Sequence, residues 1–159
     1  MKIEFTPIGI IHSPFTDLVD MPIQPNSTES ASGTVDILPE YAEGLHDLDG
    51  FSHIILLYHL HQAGKPRLQV IPFLDSKPHG VFATRAPVRP NPIGLSVVEL
   101  ISIQGNQLTV AGLDILDGTP LLDIKPYIPT FDERFEYRIG WLERSAGDSS
   151  TTLSDDRFH

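Results

Sequence analysis

Apolar and polar residues alternate in short runs along this chain, and the runs are separated by proline- and glycine-bearing segments. That period of two predicts strands. Phe5 to His12 reads as a first strand and Gly33 to Leu38 as a second. Phe51 to His61 is the strongest apolar run, and its Ile, Leu and Tyr content predicts a strand buried on both faces. Gln69 to Phe73 and Gly80 to Thr84 are shorter candidates. Ile93 to Ile103 and Gln107 to Ile115 flank Gly105-Asn106, which predicts a hairpin around a two-residue turn. Leu121 to Lys125 follows the turn Asp117-Gly118-Thr119-Pro120. Phe135, Tyr137, Ile139 and Trp141 alternate with polar residues, which predicts a further strand, with a terminal helix as the alternative. Only Glu40 to Asp47, after Pro39, looks helical. The 14 prolines and 12 glycines leave little room for long helices. The expected fold is mainly β: a small antiparallel barrel with one or two short helices.

At 159 residues the chain has the size of one domain. We expect that domain to span residues 1–144, followed by a flexible polar tail over 145–159. Thr16 to Ser32, rich in Pro, Asn, Ser and acidic residues, is expected to be a long loop. The longest purely apolar run, Ile54 to Tyr58, is too short to cross a membrane. With no secretory signal visible, a cytoplasmic location is expected. Cysteine is absent, which excludes disulfides, thiolate catalysis and sulfur-ligated zinc.

Charge changes the picture. Eleven basic against 21 acidic residues give a net charge of -10, which argues against diffuse nucleic-acid binding. Between His59 and Val98, however, Lys65, Arg67, Lys77, Arg85 and Arg89 face Asp75 alone. Chance clustering on a solvated surface would explain this. So would a local anion site on an acidic body.

Candidate chemistry gathers in that basic stretch. Gly80 to Ser96, GVFATRAPVRPNPIGLS, carries Pro87, Pro90 and Pro92, which fix the backbone around Arg85, Arg89 and Asn91. A stiff crossover is one reading. A preorganised ligand loop is the other, because rigidity lowers the entropy cost of binding. The Asn91 side-chain oxygen and nearby carbonyls suit an exocyclic amine. Leu113 to Tyr127 adds Asp114, Asp117, Asp123, Lys125 and Tyr127. Asp117-Gly118 is explained as a turn, and Asp123 and Lys125 share a strand face and can pair. His59 and His61, two apart on a strand, would face one side and could join His79 or Asp75 at a metal. A hydrogen-bonded histidine pair explains them better, and no metal is expected. Neither a phosphate-binding glycine loop nor a G-x-S-x-G elbow is present.

Four stretches together, IGIIHSPF (Ile8 to Phe15), DGFSHIILLYHLHQ (Asp49 to Gln62), GVFATRAPVRPNPIGLS and LDGTPLLDIKPYIP (Leu116 to Pro129), resemble the TrmO/TsaA-like (YaeB) family. The resemblance covers about Ile8 to Asp132. It implies a non-Rossmann β-barrel, S-adenosylmethionine as cofactor, and a homodimer with the cofactor near its interface. The implied reaction is methylation of the 6-amino nitrogen of threonylcarbamoyladenosine at position 37 of tRNA. By similarity, cofactor contacts fall on Gln24, Pro25, Asn26, His61, Gln62, Arg85, Leu95, Leu113 and Asp114. Residue chemistry within the same motifs makes Asn91 the candidate catalytic residue, with Arg89, Lys125 and Tyr127 as acceptor-binding candidates. Longer bacterial members carry an Arg where this chain has Ile23, and also a C-terminal domain, so the chain reads as a short form. The alternatives are another RNA or small-molecule acceptor for the same cofactor, or a barrel that binds nucleotides without catalysis.

Overall fold

A computed structural model describes residues 1–19, 21 and 31–145. Six strands close an antiparallel barrel in the order β1 (Gly9–His12), β2 (Ser32–Ile37), β7 (Gln107–Ala111), β6 (Ile93–Gln104), β3 (His53–His59) and β8 (Thr119–Pro126). Closure leaves this sheet without an open edge at its ends. β4 (Gln69–Val70) and β5 (His79–Gly80) form a separate two-stranded ribbon.

The alternation in the sequence becomes the inner and outer faces of the wall. Ile11, Val35, Ile54, Leu56, Leu108, Val110 and Leu121 point inward and are fully buried. β3 departs from the sequence expectation. Ile54, Leu56 and Tyr58 are buried, whereas Ile55 and Leu57 are only partly covered. A barrel wall has one dry face, so a continuous apolar run here still alternates. The hairpin between β6 and β7 turns at Gly105-Asn106, with Gly105 at φ 62° supplying the positive angle of its first central position. The Asn106 side chain donates to Ile37 O, and Ile37 N donates to Asn106 O, tying the turn to β2.

Other expectations are corrected. The first strand begins at Gly9, not Phe5, and the predicted strand at Gly80 to Thr84 is largely a 3₁₀ turn, Val81–Ala83. The helical stretch expected over Glu40 to Asp47 is a 3₁₀ helix, Pro39–Leu45, without a side-chain cap. Among the described residues the α-helix is α1, Pro129–Asp132. Residues 135–141 pair with no strand, and Phe135 and Tyr137 are exposed. Their segment instead ends in a 3₁₀ turn, Gly140–Arg144, held by Trp141. That indole stacks on His79 with centroids 4.5 Å apart and donates to Ala83 O at 2.8 Å. Of the expected tail, all but Ser145 lies outside the described residues. No described helix is long and apolar enough to cross a membrane.

Two features prepare the site. β6 pairs with β3 from Ile93 to Glu99 and with β7 only from Glu99 onward. Its first half therefore has no β7 neighbour, and the connection from β7 to β8 passes there. Second, the ribbon and the loop after it have their own small core, Val70, Val81, Ala86 and Val88 packed with Phe73.

Candidate functional site

The loop 81–92 is rigid for reasons beyond its prolines. Arg89 Nη1 donates to Val81 O (3.1 Å), Thr84 O (2.8 Å) and Ala86 O (3.2 Å). Its guanidinium carbon also lies 5.8 Å from the ring centre of Phe82. Arg67 N donates to Val88 O, and Leu60 N to Pro92 O, fastening the loop to the segment after β3. Arg89 thus acts as a staple of its own loop. Ile93 N donates to Asn91 O, so the Asn91 and Pro92 carbonyls both have main-chain partners, while the Asn91 side chain is exposed.

Asp114 lies in the segment that crosses beside β6. Ser96 Oγ donates to Asp114 Oδ1 at 2.6 Å, and Tyr58 OH lies 2.9 Å from Ser96 Oγ. Burial raises the Asp114 carboxyl above its ordinary value, opposed by the Ser96 hydrogen bond and by the Arg85 charge. The Tyr58 hydroxyl is raised mainly by burial, and Arg85 acts on it in the opposite sense. Arg85, on an exposed stretch of the loop, is the cation whose charge acts on both groups. The arrangement presents a half-buried carboxylate, the charge of a guanidinium and exposed apolar surface at Leu95, on the part of β6 that has no β7 neighbour. A ligand with separate cationic, hydroxyl-bearing and flat apolar parts matches that donor set.

The remaining residues singled out from the sequence divide. Leu113 is a core side chain, 2% exposed, and its amide donates to Ala31 O, so it does not flank a ligand with its side chain. β3 ends at His59, so His59 and His61 do not lie on one strand face; His61 and Gln62 stand exposed in the turn that follows. His79 Nε2 instead meets Asp75 Oδ2 at 2.8 Å, which holds that carboxyl below its ordinary value. Among the described residues no three His, Asp or Glu side chains cluster as a metal site. Lys125 pairs with Asp123 at 2.8 Å, as their shared face suggests. Lys125 is level with Ile55, and Tyr127 N bonds His53 O. At roughly 3.3 Å per residue they lie about 10 and 16 Å along β3 from Tyr58. Within one chain, then, Arg85, Asn91 and Arg89 share one loop, whose Arg85 charge acts on Asp114, while Lys125 and Tyr127 stand along β3 away from Tyr58. Gln24, Pro25 and Asn26 lie outside the described residues.

Tyr58 and Ser96 escaped the sequence reading. Their signal was available only as a phase: Ser96 shares the inward register of Val98, where an apolar residue is expected.

Comparison with known proteins gives a consistent picture. The model of the tRNA-methyltransferase O N-terminal domain matches residues 10–133. A probable S-adenosyl-L-methionine-binding protein of Pyrococcus abyssi is 54% identical, over 99% of this chain and 86% of its own. The tRNA (adenine(37)-N6)-methyltransferase of Escherichia coli K12 is 38% identical, over 79% of this chain and 58% of its own. The crystal structure of TrmO from Pseudomonas aeruginosa superposes with a TM-score of 0.75 at 41% identity, covering 89% of this chain and 63% of that one. The chain thus spans less than two thirds of the latter two proteins.

Proposed function

This chain belongs to the tRNA-methyltransferase O N-terminal domain family, and from that premise we propose that it transfers a methyl group from S-adenosylmethionine to the 6-amino nitrogen of threonylcarbamoyladenosine at position 37 of tRNA. The observation that carries this reading is the Asp114 carboxylate, bonded by Ser96 and under the charge of Arg85, beside the half of β6 that lacks a β7 neighbour, since it fits the cofactor's mixture of charges. The name of the Pyrococcus relative supports the cofactor, and that of the Escherichia relative supports adenine 37 of tRNA as the base methylated.

Bound S-adenosylmethionine supplies a methyl group on a sulfonium that departs as a neutral thioether, so positioning is the protein's main task. Asp114 accepts from a hydroxyl or ammonium donor, Arg85 holds the anionic end, and Leu95 covers the adenine. Leu113 contributes through its main chain. Gln24, Pro25 and Asn26, with His61 and Gln62, complete the cofactor's surroundings. The Asn91 side-chain oxygen would accept from the 6-amino N–H and orient the nitrogen lone pair toward the methyl group, with the N–H proton passing to solvent water as the methyl is transferred. The remaining edge of the Arg89 guanidinium, or Lys125, holds the threonyl carboxylate, and Tyr127 stacks on a base.

Lys125 and Tyr127 stand along β3 away from Tyr58, and a second chain would bring its own copies of them to the site, which favours a homodimer. Ile93, Leu95, Val97 and Ile101 form an exposed apolar stripe on β6 suited to such a contact. The basic stretch around Lys65, Arg67 and Lys77 offers phosphate contacts on an otherwise acidic protein. We place the reaction in the cytoplasm, with its tRNA.

The cofactor half of the reading is tested by calorimetry. Arg85→Ala weakens S-adenosylmethionine binding by about 1.5–3 kcal/mol, the range for a hydrogen bond to a charged group. An unchanged dissociation constant removes Arg85 from the site.

A further inference from the structure

A line of hydroxyl groups runs outward through the barrel mouth to Asp114, and its direction can be worked out. Ser96 has one hydroxyl proton, and that proton goes to Asp114 Oδ1 at 2.6 Å. At the 2.9 Å contact with Tyr58, Ser96 Oγ must therefore accept, and Tyr58 donates. Both protons point toward the carboxylate. Ser96 is 3% exposed and Tyr58 6%, so the line lies within a wall whose other inward residues are aliphatic apart from Thr119, which donates to Leu116 O. Polar groups kept in such a place are costly unless fully bonded.

Neighbouring residues are arranged around the line. Gly94 is the register partner of Tyr58, and a Cβ there would stand 2.1 Å from Tyr58 Cε2 and 2.5 Å from Cζ. The missing side chain lets the phenol ring cross β6 and deliver its hydroxyl to Ser96, two residues on. The β3–β8 pairing shifts register between Leu57 and Tyr58, which marks the same spot from the other side.

We propose that Tyr58 and Ser96 are positioning residues: Tyr58 donates to Ser96, and Ser96 bonds Asp114 Oδ1 and so reserves Oδ2 for a hydroxyl or ammonium donor of the cofactor. This rests on the cofactor reading above. The Ser96 bond favours the charged form of the carboxyl, against burial; Arg85 is the other charged group acting on it, and Tyr58 remains a neutral donor. Without the Ser96 hydroxyl, Asp114 takes up a proton at higher pH and stops accepting.

The test combines carbon NMR titration of the Asp114 carboxyl in cofactor-free protein with S-adenosylmethionine affinity measured against pH. In Ser96→Ala the carboxyl midpoint rises by about one to two pH units, the span expected for a lost charged hydrogen bond. The acid-side loss of cofactor affinity moves upward with it. Tyr58→Phe keeps the ring over Gly94 and gives a smaller shift in the same direction, and it serves if Ser96→Ala does not fold. A carboxyl midpoint unmoved in both variants overturns the proposal, as does a shifted midpoint with an unshifted affinity profile. If the unaltered protein binds no cofactor at any pH, it is the cofactor reading that fails. The carboxyl titration then still decides whether the hydroxyl line controls Asp114.

Discussion

Asp114→Asn lowers S-adenosylmethionine affinity by about 10- to 150-fold, the loss equivalent to one charge-assisted hydrogen bond. Asn keeps the shape of the side chain and can still accept from Ser96 through its oxygen, so the barrel mouth retains its packing. What goes is the negative charge on which Arg85 acts and the second acceptor oxygen. The stability effect has the opposite sign. The folded-state carboxyl is raised above the ordinary value of 3.8, chiefly by burial. Between 3.8 and the raised value the folded chain holds more protons than the unfolded chain. Stability is therefore lost as pH rises through that window and stays lower by a constant amount above it. Asn does not titrate. The melting temperature of the variant relative to the unaltered protein accordingly improves as pH rises through the window, then levels. Melting curves across the acid range, paired with calorimetry at neutral pH, check both halves. Tight binding by the Asn variant would remove the carboxylate from the site.

Leu56→Ala carries the largest stability loss we expect, about 2–5 kcal/mol. Leu56 is fully buried at the centre of β3, where β6 and β8 both pair with it, at Ser96 and Ile124. Truncation leaves a void that the walls of a closed barrel cannot collapse to fill. Ile10→Ala serves as the control. Ile10 lies on the outer face of β1, 42% exposed, and its truncation costs within about 1 kcal/mol, the span of strand propensities. Urea midpoints at constant slope give the comparison. Equal losses at the two positions would mean that the inner and outer faces have been assigned the wrong way round.

The barrel was legible because alternation, hairpin turns and proline spacing are local signals. Gly105-Asn106 set the β6–β7 register, and the structure keeps that turn where the sequence puts it. Phe51 to His61 misled because its outward Ile55 and Leu57 are as apolar as its inward residues; chemistry alone does not reveal the phase of such a run. Phe135 to Trp141 misled for another reason. A strand needs a neighbour, and alternation says nothing of whether one exists. Its one anchored ring, Trp141, works through a stack and a single hydrogen bond instead.

The candidate site divides in the same way. Arg85, Asn91 and Asp114 stand in motifs long enough to notice. Arg89 was read as a ligand cation, yet its Nη1 serves three carbonyls of its own loop, bonds that no residue spacing displays. Tyr58 and Ser96 meet across 38 positions of sequence, and Ser96 and Asp114 across 18. Such a line exists only once β3, β6 and the segment after β7 have been brought together.

The central claim is methyl transfer to a modified adenosine, and nucleoside mass spectrometry tests it most directly. Purified protein is incubated with S-adenosylmethionine and with tRNA that carries or lacks the threonylcarbamoyl group at position 37, and the tRNA is then digested. The account predicts one added methyl on the 6-amino nitrogen of threonylcarbamoyladenosine, and none on the unmodified tRNA. A protein that binds S-adenosylmethionine yet leaves both tRNAs unmethylated would contradict it.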